Sequence, residues 1–282
     1  MVRALAGKEF HEALRSVRFL VVVLVSCTLI PLSAYVNTRS YEHRVQYHQE
    51  LVEAYRAQTE TAGLRADLVA VAFRPPSVLG VLFRGIEPAL PSRVQTSRDG
   101  LFTVLSENQP ADPSSASADS TDLLFLTGMV LSLLAFVFVH GMITREKEEG
   151  TLRLLVSTGA SRGSILSGKL LGSYFAFALP VAVGLLLGLG IMAGTPIVRA
   201  HLEGQLPQLL LAVLFVFALL FLLFLLGTFA SMFAHRPGVA VVLLVFLWVF
   251  LVLALPRMAP MIAQIVYPAK PHHVVEMEKV SV

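Results

Sequence analysis

Five stretches of the chain are apolar over the length of a bilayer crossing: 19–36, 123–143, 170–193, 206–233 and 239–255. None of them holds Asp, Glu, Lys or Arg. A helix needs about 17–25 such residues to cross the hydrocarbon core. The strands of a β-barrel would instead alternate apolar and polar residues over about 10 positions. The pattern predicts an all-α, polytopic helical membrane protein with five transmembrane helices, the first over 19–36 and the other four within 122–255. Before the first span, Leu5, Phe10, Leu14 and Val17 can share one helical face, with Lys8, Glu9, Glu12 and Arg15 on the other. That predicts a helix lying in the membrane interface over 1–18.

The long polar stretch 37–121 has two parts. Residues 40–69 favour helix, with Tyr41, Val45, His48, Val52 and Tyr55 at roughly helical spacing. Residues 74–121 are rich in Pro, Ser and Gly, and 108–120 (NQPADPSSASADS) has the composition of a flexible linker. His43 and His48 are five apart, a spacing that does not put two metal ligands on one helical face. After the fifth span the stretch 258–266 is short and bracketed by Pro256, Pro260 and Pro268, so 256–282 reads as a non-spanning tail.

Composition narrows the class. The chain is 55% hydrophobic and 15% charged, with a mean hydropathy of +0.72, which excludes a water-soluble domain. Its formal charge of +3 makes sense through topology. Arg3, Lys8, Arg15 and Arg18 precede the first span. Arg145, Lys147, Arg153, Arg162 and Lys169 follow the second, and Arg236 sits in the turn between the fourth and fifth. The loop between spans three and four has only Arg199. Lys and Arg in short loops favour the cytoplasmic side, so the N-terminus, the 144–169 connector and the His235 turn are expected inside the cell. Segment 37–121 holds eight Arg, but long segments cross largely regardless of charge. No nucleic-acid partner is implied. The first apolar run reads as a retained anchor, because its basic flank is long and amphipathic, unlike a cleaved leader. The lone Cys27 lies inside it, in a packing role.

The connector 144–169 (TREKEEGTLRLLVSTGASRGSILSGK) is much longer than a turn requires. Two short motif matches in it fail. Gly163 to Lys169 fits a phosphate loop, but Leu170 stands where Ser or Thr must bind magnesium. Lys169 reads instead as the end marker of span three. Glu148, Glu149 and Arg153 resemble the EExxxR motif of intramembrane CAAX-type metalloproteases, and 136–140 their FxxxH motif. Here the motifs are in reversed order, and the glutamates are outside a span. Gly168 and Gly172, and likewise Gly184 and Gly188, are four apart and would let helices approach closely.

A longer match covers the connector itself. Residues 145–155 (REKEEGTLRLL), then Ser157, Thr158, Ser161, Arg162, Ile165 and Leu166, and finally 168–172 (GKLLG), strongly resemble the ABC-2 class of ABC-transporter permeases. Gly159 departs from the Pro of many members. The amphipathic N-terminal segment resembles the same family, and 74–85 (RPPSVLGVLFRG) resembles a subgroup with a large external insertion after span one. The resemblance implies that the connector forms a coupling helix docking on a separate P-loop ATPase, with Glu146, Glu148, Glu149, Gly150, Thr151, Leu152, Arg153 and Leu155 as the coupling residues. It implies that the chain itself is not an enzyme and holds no cofactor or metal, since ATP and magnesium would be bound by that partner. It also implies a second permease subunit, identical or different, spans two and five along the pathway, location in the cell membrane, and export. The family usually has six spans with both ends cytoplasmic. Five spans place residue 282 outside, so a fragment lacking the sixth helix is expected.

The residues fit docking on their own terms. Glu146, Glu148 and Glu149 occupy the first turns of a helix starting near Thr144, where the dipole favours negative charge. Gly150 can end that helix and Thr151 can cap the next. Leu152, Leu155 and Val156 then offer an apolar face. Transporters driven by ion gradients bury ionisable groups in their spans, and these spans hold none apart from His140 near an end. Energy for transport would therefore come from another polypeptide. The competing functions are the metalloprotease and a membrane sensor or scaffold with an external ligand-binding segment. The uniformly apolar spans do not name a substrate.

Overall fold

The computed structural model describes residues 2–62, 70–85, 93–96, 102–105, 122–151 and 161–267. Among them are five helices long and apolar enough to cross a membrane. Helix α1 (Val2–Leu14) precedes α2 (Val17–Ala62). The chain breaks between them at Ser16, whose Oγ donates to the Ala13 carbonyl over 2.6 Å and accepts from the Phe19 amide over 3.2 Å. That second bond caps the start of α2. The predicted interfacial helix therefore stops at Leu14, and Val17 belongs to the next element.

At 46 residues α2 is about 69 Å long, roughly twice the thickness of a hydrocarbon core. Its second half begins in the core, where Tyr41 and Val45 are buried, and farther along carries a small sheet of β1 (Ala70–Phe73), β2 (Arg93–Thr96) and β3 (Phe102–Leu105). The strands are antiparallel in the order β1-β2-β3, with Val71 opposite Gln95 and Val94 opposite Val104. Phe73 sets the sheet on the helix, edge-on to the rings of His48 and Tyr55 with centroids 6.4 and 5.6 Å away. The spacing of residues in 40–121 gave no sign of these strands. Four-residue strands between Pro and Gly leave too little period to read. The linker-like run 108–120 lies outside the described residues.

Span two begins as α3 (Leu123–Phe125), widens into a π segment (Leu126–Leu131) and continues as α4 (Ser132–Val139). Asp122 caps it: Oδ1 accepts from the Phe125 amide at 2.8 Å. Its Oδ2 accepts from the amides of Arg84 at 3.0 Å and Gly85 at 3.4 Å, pinning the turn after the buried Val78–Val81 segment onto the bundle. After the short helix α5 (Thr144–Glu149), span three is α6 (Arg162–Ala193), followed by α7 (Pro196–Leu202) and by span four, α8 (Leu206–Phe233). Span five is α9 (Pro237–Trp248), a second π segment (Val249–Ala254) and α10 (Leu255–Val266). The helix thus continues past the expected end at 255. Pro256 lies inside this continuous helix, just past the π segment, and has no N–H to donate to the preceding turn.

The helices meet through small residues and rings. A Cβ on Gly184 would lie 2.5 Å from the Ser26 carbonyl oxygen, and one on Gly188 would lie 3.2 Å from the Ala34 Cβ, so α6 seats α2 on this pair. Phe138, Phe177 and Phe224 join spans two, three and four, with centroids 5.6–6.0 Å apart. Tyr174 adds a hydroxyl bond to the Phe217 carbonyl at 2.7 Å. Span five buries only Ala240 and Leu244. Its outer face, with Val242 and Phe246, is open, as suits helices surrounded by lipid rather than water.

Candidate functional site

At one end of the bundle lie α1, the connector and the turn at His235. The backbone leaves span two at Val139 and is held at once by side chains from elsewhere. Arg18 donates from Nη1 to the Phe138 carbonyl at 3.2 Å. Gly141 makes room for it, since a Cβ there would lie 3.0 Å from Arg18 Nη2. The His140 carbonyl accepts from Thr144 Oγ1 at 2.7 Å and from Ser231 Oγ at 3.1 Å.

Helix α5 is then anchored on two sides. Lys147 Nζ donates to the carbonyls of Met232 at 2.5 Å and Ala234 at 3.4 Å. These are among the unpaired carbonyls at the end of α8, where a cation is favoured. Glu146 turns inward: its Oε1 is 2.7 Å from Lys169 Nζ, which also donates to Glu9 Oε1 at 2.5 Å. Glu9 is brought there by α1, which lies against α6 at Gly168 and Gly172. A Cβ on Gly168 would be 3.0 Å from the Leu5 Cβ, and one on Gly172 would be 2.9 Å from the Glu9 Cβ.

The expected coupling residues therefore divide. Glu148, Glu149, Gly150 and Thr151 are exposed, as is Arg145. Glu146 is half-buried and paired with Lys169, unlike the four residues that follow Lys147. The connector is not one continuous helix. It ends at Glu149, and Gly150 adopts the left-handed conformation at φ 74°, where a side chain would be strained. Thr151 is already helical, so it does not occupy the expected cap position. Leu152, Arg153 and Leu155 lie outside the described residues. Span three starts at a cap of its own, Ser161 Oγ accepting from the Ser164 amide at 3.2 Å.

Two residues of this end escaped sequence reasoning. The helical pattern puts Glu9 on the polar face of α1, and the sequence position of Lys169 suggests only an end marker for span three. Lys169 is buried, and both its carboxylates come from other elements, which also removes it as a phosphate-loop lysine. The usable signal was its setting: a lysine flanked by Gly168 and Gly172 will be approached closely by another helix. Among the described residues, no group of three His, Cys, Asp or Glu is placed to hold a metal.

No curated protein matches the chain. The family model for ABC-2 family transporter proteins matches residues 3–279, spanning α1, all five long helices and the connector. With that match, a bundle of apolar helices and a charged connector anchored beneath it, the chain belongs to the ABC-2 family of transporter proteins.

Proposed function

We propose that this permease subunit is powered through the connector, by a separate P-loop ATPase that docks on Glu148, Glu149, Gly150 and Thr151, continuing onto Leu152, Arg153 and Leu155. The observation that carries this is the division of α5. Glu146 and Lys147 are tied to two other helices, α6 and α8, while the next four residues are exposed at a left-handed turn. An exposed turn on an anchored base suits a site that must receive a mechanical push. Charges around such a contact set register and specificity more than affinity. On this reading α1, the connector and the His235 turn are cytoplasmic, in keeping with their Lys and Arg content, and the sheet is outside the cell. The chain works in the cell membrane, paired with a second permease subunit, as part of an exporter. ATP and magnesium are held by the partner.

Affinity purification of the tagged chain from native membranes tests this. The ATPase should co-purify, and Glu149→Lys or Leu152→Asp should weaken its retention at least tenfold, about 1.4 kcal/mol of binding free energy. Full retention by both variants would remove the connector as the docking site.

A further inference from the structure

Glu9, Lys169 and Glu146 come from α1, α6 and α5, and Glu9 and Lys169 are 160 positions apart in the chain. The Lys169 side chain is 4% exposed, and those of Glu9 and Glu146 are 14% and 19% exposed. Packing alone does not need this charge. Leu5 already fills the hollow at Gly168, and apolar replacements of buried ion pairs are often neutral or stabilising. What a buried pair can add is a single fixed arrangement. Here two carboxylates share one ammonium, and Glu146 Oε2 has no hydrogen-bond partner. Without Lys169, two like charges would face each other across the junction of α1 and α5. On the other side of α5, Lys147 holds the end of α8.

We propose that Lys169 is a positioning residue for energy coupling: through Glu9 and Glu146 it makes α1, α5 and the start of span three move as one body. A push received at Glu148–Thr151 is thereby delivered to the amphipathic helix and to span three together. The inference rests on the docking role proposed for the connector.

The test uses the full Cys27→Ser chain with spin labels on cysteines replacing Gly7 and Arg145, both exposed. It is studied in nanodiscs alone, and again with its co-purified ATPase, with and without ATP and vanadate. Pulsed electron–electron resonance reads the distance between α1 and α5. The parent chain should give one narrow distance that nucleotide trapping does not change. Lys169→Met should broaden it already in the chain alone and make it respond to nucleotide. Lys169→Arg should restore the narrow peak, which separates positioning from a general loss of folding. Glu9→Gln keeps one carboxylate on Lys169 and should loosen α1 alone. A parental distribution in both Lys169→Met and Glu9→Gln overturns the proposal. The measurement without ATPase judges the ion triad, and retention of the ATPase by Glu149→Lys judges the docking role, so the two can fail separately.

Discussion

Trp248 Nε1 donates to Ser132 Oγ over 2.8 Å, and each residue borders a π segment of its own span. Leu126–Leu131 ends immediately before Ser132, and Val249–Ala254 begins immediately after Trp248. Within span two the Ser132 hydroxyl donates to the Gly128 carbonyl, inside the widened turn. One hydroxyl thus serves a local bond and the bond to span five. A π segment shifts backbone pairing from four to five residues, visible where the Ser132 amide reaches the Thr127 carbonyl and the Leu255 amide reaches Phe250. Trp248→Phe and Ser132→Ala should each lower stability, and a double-mutant cycle by thermal unfolding in detergent should give a coupling of about 0.6–1.7 kcal/mol. Additive effects would mean that the bond does not couple the spans.

The glycines of span three make a sharper prediction. Gly184→Ala drives a methyl into the Ser26 carbonyl, and Gly172→Ala meets the backbone of Ala6 as well as the Glu9 Cβ. Backbone cannot yield as a side-chain tip can, so each should destabilise by about 1–3 kcal/mol. Gly190→Ala has open space in the same helix and should gain up to about 1 kcal/mol from helix propensity. Equal melting temperatures for the three variants would contradict the packing described.

Asp122 should control how the 78–85 segment is held. Asp122→Ala removes a helix cap and two loop amide bonds, and caps alone contribute about 0.5–2 kcal/mol. Hydrogen exchange at the amides of Arg84, Gly85 and Phe125 should rise together in this variant. Unchanged exchange at Arg84 and Gly85 would show that the turn is held by its apolar contacts alone.

Sidedness can be checked residue by residue. In a Cys27→Ser background, cysteines at Arg145 and His235 should react with an impermeant thiol reagent only from the cytoplasm, and a cysteine at Glu53 only from outside. All three positions are exposed. Labelling of Glu53 and His235 from the same side would rule out the orientation proposed.

The five spans were legible because membrane crossing is a local demand: each run of about 20 residues must satisfy the bilayer by itself. The helical spacing of Tyr41, Val45, His48 and Tyr55 was also legible, and these residues do lie along α2. The strands pairing beside that helix were not, since four residues carry almost no period. Gly168, Gly172, Gly184 and Gly188 could be recognised as places of close approach. That the first two seat α1 and the last two seat α2 could not.

Local patterns are enough for the class of protein, the number of apolar helices and the unusual length of the connector, because burial in lipid and helix periodicity act over neighbouring residues. Which of the described connector residues are exposed depends instead on how distant helices pack. A helical pattern places Glu9 beside Lys8 and Glu12, and Glu146 beside Glu149. Folding α1 back onto the glycines of span three brings Glu9 to Lys169, and the seating of α5 brings Glu146 to the same lysine while Glu148 and Glu149 stay outside. An ion pair closed across 160 residues depends on where a helix docks, and no local pattern encodes that.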